Sequence, residues 1–390
     1  MSEIRVVIDE EKHSISVKND GQGIPIEIHK KEGIYVPELI FGNLLTSSNY
    51  DDDEAKTTGG RNGYGAKLAN IYSTEFIVET ADSERGKKYK QVFSNNMSKK
   101  GVPKITDNKK GEQYTQITFT PDLKRFNMDE GGFDRDILSL LHKRVWDMAG
   151  IIPKVKVYLN GKVLRCKDFK AYVEKLLGGV NELTGTAAKK RGTKKAGGGD
   201  DGAVTAADAL FGGEDDDDLV KAAADGEAGA AANKPTVIYE RVNDRWDVAF
   251  SLSDGQFQQV SYCNAIATTK GGSHVNYVAD QIVQGLVDLV KKKHKNITVK
   301  PFQIKNHIAL FVNCKIDNPS FDSQTKENMT LTMKKFGSKC VLSEQFLKKG
   351  ESVVAFGHLR GPRLVGARES EKLTCRVSAF RIGSQSRRRA

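Results

Sequence analysis

TSSNYDDDEAKTTGGRNGYGAK, residues Thr46–Lys67, is the stretch on which the reading of this 390-residue chain turns. Hydroxyl and amide side chains come first (Thr46, Ser47, Ser48, Asn49), then the acids Asp51, Asp52, Asp53 and Glu54, then Gly59, Gly60, Gly63, Gly65 and Lys67. Glycines at this density let successive backbone N–H groups converge on one anion. The sequence after Lys67, LANIYSTEF, can open a helix, which sets the glycines at a helix N-terminus and suits them to phosphate. The four acids lack the spacing of a calcium loop and read as a solvated lid, with no metal ligand assigned.

The loop matches neither common nucleotide template. In a P-loop, glycine precedes the lysine and Ser or Thr follows it; here Ala66 precedes Lys67 and Leu68 follows. Nor does the loop read G-x-G-x-x-G after a strand of a parallel unit, so a dinucleotide oxidoreductase is a poor reading as well. An anion-binding loop of another kind remains. The backbone donors of Gly60, Arg61, Asn62, Gly63, Tyr64, Gly65 and Ala66, with Lys67, suit a triphosphate.

Upstream, Ile4, Val6 and Ile8 alternate with polar residues, and Ile15 and Val17 repeat the pattern, predicting two short strands joined near Asp9–His13. The second runs into Asn19-Asp20-Gly21-Gln22-Gly23, where a plain turn and a contact from Asn19 or Asp20 to a base amino group both fit. Pro37 opens a predicted helix with Leu39, Ile40, Leu44 and Leu45 as its buried face, delivering Ser47, Ser48 and Asn49 to its end.

Downstream, strands are expected over Phe76–Thr80, Tyr89–Phe93 and Gln113–Phe119, the last closed by Pro121. A helix is expected over Asp134–Ala149, with Ile137, Leu138, Leu141, Val145 and Met148 on one face, and a hairpin start at Val155–Leu159 with its Asn160-Gly161 turn. This first region is α+β.

From Thr186 to Lys234 the chain is rich in Ala, Gly and Asp and nearly devoid of aromatics, so it reads as a disordered insertion. Its basic start (Lys189, Lys190, Arg191, Lys194, Lys195) fits a tether, a DNA contact or a localisation signal. Order resumes at Val237. Trp246–Leu252 and Gln258–Tyr262 alternate like paired strands, Tyr277–Lys293 is the strongest helix pattern, and Ile308–Val312 reads as a buried strand. Strand, crossover helix and strand in that order predict a second, smaller α/β domain. Lys326, in Asp322-Ser323-Gln324-Thr325-Lys326, is a candidate for the γ-phosphate, although a lone lysine is ordinarily a surface residue. Glu351–Ala390 shows no sustained periodicity and is assigned no fold.

Composition bounds these readings. The net charge of +11, from 61 basic and 50 acidic residues, suits an anionic partner such as DNA. DNA contact by Lys291–Lys295 and a merely exposed helix end fit equally well. Five dispersed cysteines with no C-x-x-C pair argue for a reducing compartment and against a zinc cluster. No apolar run approaches the roughly 20 residues of a membrane span, and no signal-peptide core is present.

NDGQGIP, YVPELIFGNLLTSSNYDDDE, TGGRNGYGAKLANIYST and FDSQTKENMT occur here in that order. Together they closely resemble the ATPase region of eukaryotic DNA topoisomerase II, over roughly Ile4–Phe346 apart from the insertion. The resemblance implies an α+β fold: a Bergerat (GHKL) ATP-binding fold over 1–178, an insertion over 179–235, an α/β transducer domain over 236–348, and an unassigned tail over 349–390. It places Asn19 on the adenine side. It sets Ser47, Ser48 and Asn49 against the nucleotide before the lid, and Gly60 to Lys67 around the phosphates. It assigns Gln324, Thr325 and Lys326 to the loop that senses the γ-phosphate.

The cofactors implied are ATP and Mg2+, the partners are double-stranded DNA and a second copy in the full-length protein with no membrane, and the location is the nucleus. In such proteins ATP closes a dimer gate while a second duplex passes through a break. No residue here matches the family's water-activating glutamate, its metal-holding asparagine or its DNA-cleaving tyrosine, because those motifs lie outside this chain. The expectation is ATP binding with little hydrolysis. A binding or interaction module without catalysis is the alternative. A chaperone or mismatch-repair ATPase would share the fold but has no reason to carry SSNYDDDE and QTK together.

Overall fold

The structure, a computed structural model, describes residues 1–44, 46, 54–60, 62–128, 132–183, 236–293 and 299–359. The expectations for Leu45, Ser47, Ser48, Asn49, Asp51–Asp53, Arg61, the Thr186–Lys234 insertion and the tail beyond Leu359 lie outside the described residues. The chain divides into two compact units: Met1–Glu54 with Gly60–Tyr172, and Ala55–Gly59 with the described residues of Val173–Gly197 and Asp215–Ala390.

The first unit is built, among the described residues, on a nine-stranded mixed sheet. Its strands are β1 (Glu3–Asp9), β2 (Ser14–Asp20), β3 (Ser73–Asp82), β4 (Lys87–Ser94), β5 (Lys99–Lys100), β6 (Lys104–Asp107), β7 (Tyr114–Pro121), β8 (Lys156–Leu159) and β9 (Lys162–Leu164). Their order is β5-β4-β3-β7-β2-β1-β8-β9, with β6 also paired to β4. The alternation in β1 and β2 sets the register: Ile8 faces Ile15 and Val6 faces Val17 in an antiparallel pair. Val6, Ile8 and Ile15 pack on α3 (Arg135–Ile151) through Leu138, Val145 and Ala149, together with Val157 and Leu159, whereas Val17 is exposed. Each such buried aliphatic side chain contributes about 1.5–3 kcal/mol.

Asp134 caps α3, accepting a hydrogen bond from Asp136 N at 3.1 Å. Ile137, expected on the buried face, is 39% exposed; Trp146 and His142 are turned inward instead. The fully buried Asp147 carboxylate is paired with Lys143 Nζ at 2.8 Å and with Tyr172 OH at 2.7 Å, so α4 (Phe169–Leu183) starts tied to α3. Asn160 and Gly161 both have positive φ, 47° and 82°, as a two-residue β8–β9 hairpin turn requires.

Helix α1 (Val36–Gly42) is shorter than the sequence predicted. Pro37 and Phe41 form its buried face, and Phe41 joins Phe76, Val78, Tyr89 and Phe93 in a second core. Leu44, expected inside, lies past the helix end and is 49% exposed. Asn43 turns extended, and Thr46 Oγ1 donates to the freed Leu39 and Asn43 carbonyls at 3.0 Å each. Helix α2 (Gly65–Ile71) follows the glycine run.

The second unit holds, among the described residues, a five-stranded sheet in the order β10-β11-β15-β12-β13 and a parallel pair, β14-β16. The strands are β10 (Ile238–Asn243), β11 (Trp246–Leu252), β12 (Gln258–Cys263), β13 (Ile266–Ala267), β14 (Gly271–Gly272), β15 (Ile308–Cys314) and β16 (Asn328–Met329). The expected pairing of Trp246–Leu252 with Gln258–Tyr262 does not occur. β15 inserts between them, antiparallel to β11 and parallel to β12. The reason is composition: IALFVNC is buried at six of seven positions, the pattern of a central strand covered on both faces.

The parallel β12–β15 pair spans the chain that carries α5 (Ser273–Lys293) and the short α6 (Pro301–Lys305), as the strand–helix–strand order predicted. Val278, Ile282 and Leu286 of α5 pack with Trp246, Phe250, Leu310 and Val312. The region from Glu351, assigned no fold from sequence, continues helix α7 (Glu344–Leu359). Glu351 is buried and accepts from Lys293 Nζ at 2.5 Å. No helix of the described residues is long and apolar enough to cross a membrane.

His274, at the start of α5, is fully buried, with Nε2 3.0 Å from Thr268 Oγ1. Burial pushes its pKa down to about 4 from 6.5. Stability from this neutral histidine is complete above 6.5 and is lost as pH falls from there through 4, because only the unfolded state then takes up the proton. The second unit should therefore lose about 3 kcal/mol across that window at about 1.4 kcal/mol per pH unit. Urea midpoints at pH 7 and pH 4.5 check this, and His274→Gln should flatten the dependence.

Candidate functional site

Gly63 and Lys67 define the site in the first unit. Gly63 sits at φ +64°, and a Cβ there would lie 2.2 Å from the Thr46 carbonyl oxygen. The left-handed backbone and the close approach both require glycine. Two residues on, Gly65 starts α2, so Lys67 lies in its first turn. Lys67 is 2% exposed and its Nζ donates to the same Thr46 oxygen at 2.7 Å. Burial pushes this ammonium's pKa down, and its hydrogen-bond acceptor is a neutral carbonyl. Among the described residues no carboxylate is paired with it, and a desolvated cation is costly unless an anion completes it. Asn70 Nδ2 donates to Phe41 O at 3.1 Å and fastens α2 to α1. Thr46 is therefore held from three sides: by its own hydroxyl, by Gly63 and by Lys67.

Asn19 lies in β2, between Ile4 of β1 and Thr115 of β7, half-buried, with Nδ2 donating to Asp20 O at 3.2 Å. The neighbouring Asp20 is engaged elsewhere. Its carboxylate accepts from the Ser2 hydroxyl, from Ser2 N at 2.7 Å and from Glu3 N at 2.6 Å. The Ser2 hydroxyl, followed by Glu3 N, holds this carboxyl at about 2. Of the two side chains the sequence left open for a base, Asn19 is the one not fixed by the first residues of the chain. Gly23 follows, so close to β3 that a Cβ would stand 2.0 Å from Ala81 O.

In the second unit, Gln324 and Thr325 are exposed in a tight turn closed by Lys326 N to Ser323 O at 3.1 Å. Lys326 itself holds φ +58°, unusual for a side-chain-bearing residue. Its Nζ donates to Gly59 O at 2.8 Å, and burial lowers its pKa. Ala55–Gly59 groups with this unit. The structure thus brings Lys67 to Thr46 and Gly63, and brings Lys326 to Gly59. Gly60, Asn62, Tyr64 and Ala66 are described on either side of Gly63, whereas Ser47, Ser48, Asn49 and Arg61 lie outside the described residues.

Sequence reasoning missed Thr46 as the common acceptor, and it missed Asn264 and Asn318, which hold Ala55–Gly59. Both asparagines have positive φ, 50° and 43°, and read in sequence only as turn formers. Among the described residues no group of three or more His, Cys, Asp or Glu could hold a metal ion.

Comparison with known proteins gives one family. The DNA gyrase B family model matches residues 169–354. DNA topoisomerase 2 of Saccharomyces cerevisiae is 51% identical over 350 residues, covering 90% of this chain and 22% of that protein. DNA topoisomerase 2 of Arabidopsis thaliana is 52% identical over 350 residues, covering 90% and 20%. This chain thus spans about a fifth of the length of the curated relatives it matches. The crystal structure of the ATPase region of Saccharomyces cerevisiae topoisomerase II superposes with a TM-score of 0.74 at 47% identity, covering 92% of this chain and 79% of that one. The ATPase and transducer domains of DNA topoisomerase II from Balamuthia mandrillaris give 0.73 at 40% identity, covering 92% and 80%.

Proposed function

This chain belongs to the DNA topoisomerase II family, and we propose that it is the ATP-binding part of a type IIA topoisomerase, with Gly60–Lys67 as its phosphate cradle. One observation carries the reading: Lys67 is a buried ammonium beside an obligatory glycine turn, partnered by a carbonyl and lowered in pKa by burial. A nucleotide phosphate is the acceptor that such a cation lacks, and charge-assisted hydrogen bonds of this kind are about twice as strong as neutral ones. Asn19 takes the base, and Ser47, Ser48 and Asn49 line the nucleotide. Gln324, Thr325 and Lys326 read the γ-phosphate. Both lysines bind and orient phosphate oxygens.

Mg2+ supplies charge neutralisation to a bound triphosphate. Among the described residues no cluster of carboxylate, histidine or cysteine side chains is gathered to hold it. In the full-length protein, ATP binding closes a gate between two copies while double-stranded DNA is passed, in the nucleus. Among the described residues, Lys67 and Lys326 each donate to a backbone carbonyl, and nucleotide binding is the activity this geometry supports.

The experiment is ATP and ADP affinity with and without Lys326→Ala. Losing one charge-assisted contact costs about 1.5–3 kcal/mol, so the preference for ATP over ADP should fall at least about tenfold with ADP affinity kept. Unchanged discrimination would overturn the assignment of Lys326.

A further inference from the structure

The segment Ala55–Gly59 (Ala-Lys-Thr-Thr-Gly) has little apolar surface to bury, yet it groups with the second unit. Polar contacts from distant residues hold it there. Lys56 N donates to Asn318 Oδ1 at 3.1 Å, and Asn318 N donates back to Lys56 O at 2.9 Å. Asn264 Nδ2 reaches Thr58 O at 3.5 Å, while the same side chain clasps Ile316 through both its N and its O at 2.8 Å. Gly59 lies against Ile266, where a Cβ would stand 2.2 Å from Ile266 Cδ1. At the end of this run the Gly59 carbonyl accepts from Lys326 Nζ at 2.8 Å. The Lys326 ammonium is therefore placed by a strand of chain whose own position depends on two asparagines.

We propose that Asn318 is a positioning residue for Lys326. Its Oδ1 fixes Lys56, Lys56 fixes the path to Gly59, and the Gly59 oxygen sets where the ammonium rests. The proposal rests on reading Lys326 as the γ-phosphate contact. An ammonium on a neutral carbonyl has a weak partner that a phosphate oxygen can replace. Holding it at one point removes the cost of ordering a long, flexible side chain at the moment of binding. Asn suits position 318 twice over, because it tolerates φ +43° and supplies the acceptor.

The backbone conformation decides which variants test this cleanly. Asn318→Gly removes the acceptor without strain at a positive φ, and Asn318→Asp keeps the acceptor oxygen. Two quantities are read in the full chain: affinity for a non-hydrolysable ATP analogue and for ADP, and the titration of Lys326 through its Cε carbon shift, assigned by its absence in Lys326→Arg. In Asn318→Gly the ATP-to-ADP affinity ratio should fall at least about fivefold with ADP affinity within about twofold, as expected when one preorganised contact is loosened. The Lys326 midpoint should rise towards its ordinary value as the ammonium regains water. Asn318→Asp should restore both.

An unchanged ratio and midpoint would overturn the proposal. So would an equal loss of ATP and ADP affinity, or a loss of folding, that Asp does not rescue, since either marks a merely structural role. If the unaltered chain itself shows no preference for ATP, the γ-phosphate reading of Lys326 fails separately. The titration then decides alone: a raised midpoint in Asn318→Gly sustains the positioning of Lys326, and an unmoved one refutes it.

Discussion

Gly63→Ala should weaken ATP binding by roughly 100-fold. Two costs combine. Alanine at φ +64° leaves its favoured backbone region, at about 1–2 kcal/mol. Its Cβ would also stand 2.2 Å from Thr46 O, and relieving an overpacked contact of that kind costs about 1–3 kcal/mol. The second cost is the more damaging to function, because the carbonyl that must move is the one holding Lys67 Nζ. At about 1.4 kcal/mol per tenfold, the sum of about 2–5 kcal/mol spans roughly one and a half to three and a half orders of magnitude, and 100-fold lies towards its lower end. Gly178 offers the contrast: it lies outside the cradle in the interior of α4 with open space at Cβ, where alanine is favoured by up to about 1 kcal/mol. Gly178→Ala should thus bind like the unaltered chain. Calorimetric titration of both variants checks the difference, and equal losses would show that the Thr46–Gly63 contact is not what shapes the cradle.

Lys67→Met should separate binding from folding. The methionine stem refills most of the buried volume, and the desolvated charge is removed, which favours the fold. Against this, Thr46 O loses its donor, at about 1–3 kcal/mol. These opposing terms leave the melting temperature little changed, whereas nucleotide affinity loses a buried charge-assisted contact, about 10- to 100-fold. A thermal melt and a nucleotide titration on the same preparation read both. A variant that binds normally would make Lys67 a structural lysine whose role ends at Thr46.

Much of this was legible in the sequence where the signal is local. The Asn160-Gly161 hairpin, the helix after the glycine run and the α5 pattern are each decided by residues within a turn or two. The misses are non-local. β15 takes its place between β11 and β12 through partners about 50–70 positions away, which alternation within β12 cannot reveal. α1 ends at Gly42 because Asn43 and Thr46 stop it, although Leu44 continues the apolar period.

The same limit governs the site. Glycine density and Lys67 gave the expectation of an anion loop, but not that Lys67 would be 2% exposed or that Thr46 would be the shared acceptor. The docking of Ala55–Gly59 on Asn264 and Asn318 left no trace at all, because polar residues at positive φ look alike whether they close a turn or hold a distant strand.

The most direct measurement is a calorimetric titration of this chain with a non-hydrolysable ATP analogue and with ADP, in the presence of Mg2+. The expected result is saturable binding of one nucleotide per chain, tighter for the triphosphate, with heat lost in Lys67→Met. Absence of saturable binding, or identical titrations for the chain and its Lys67→Met variant, would contradict the assignment of Gly60–Lys67 as the phosphate cradle.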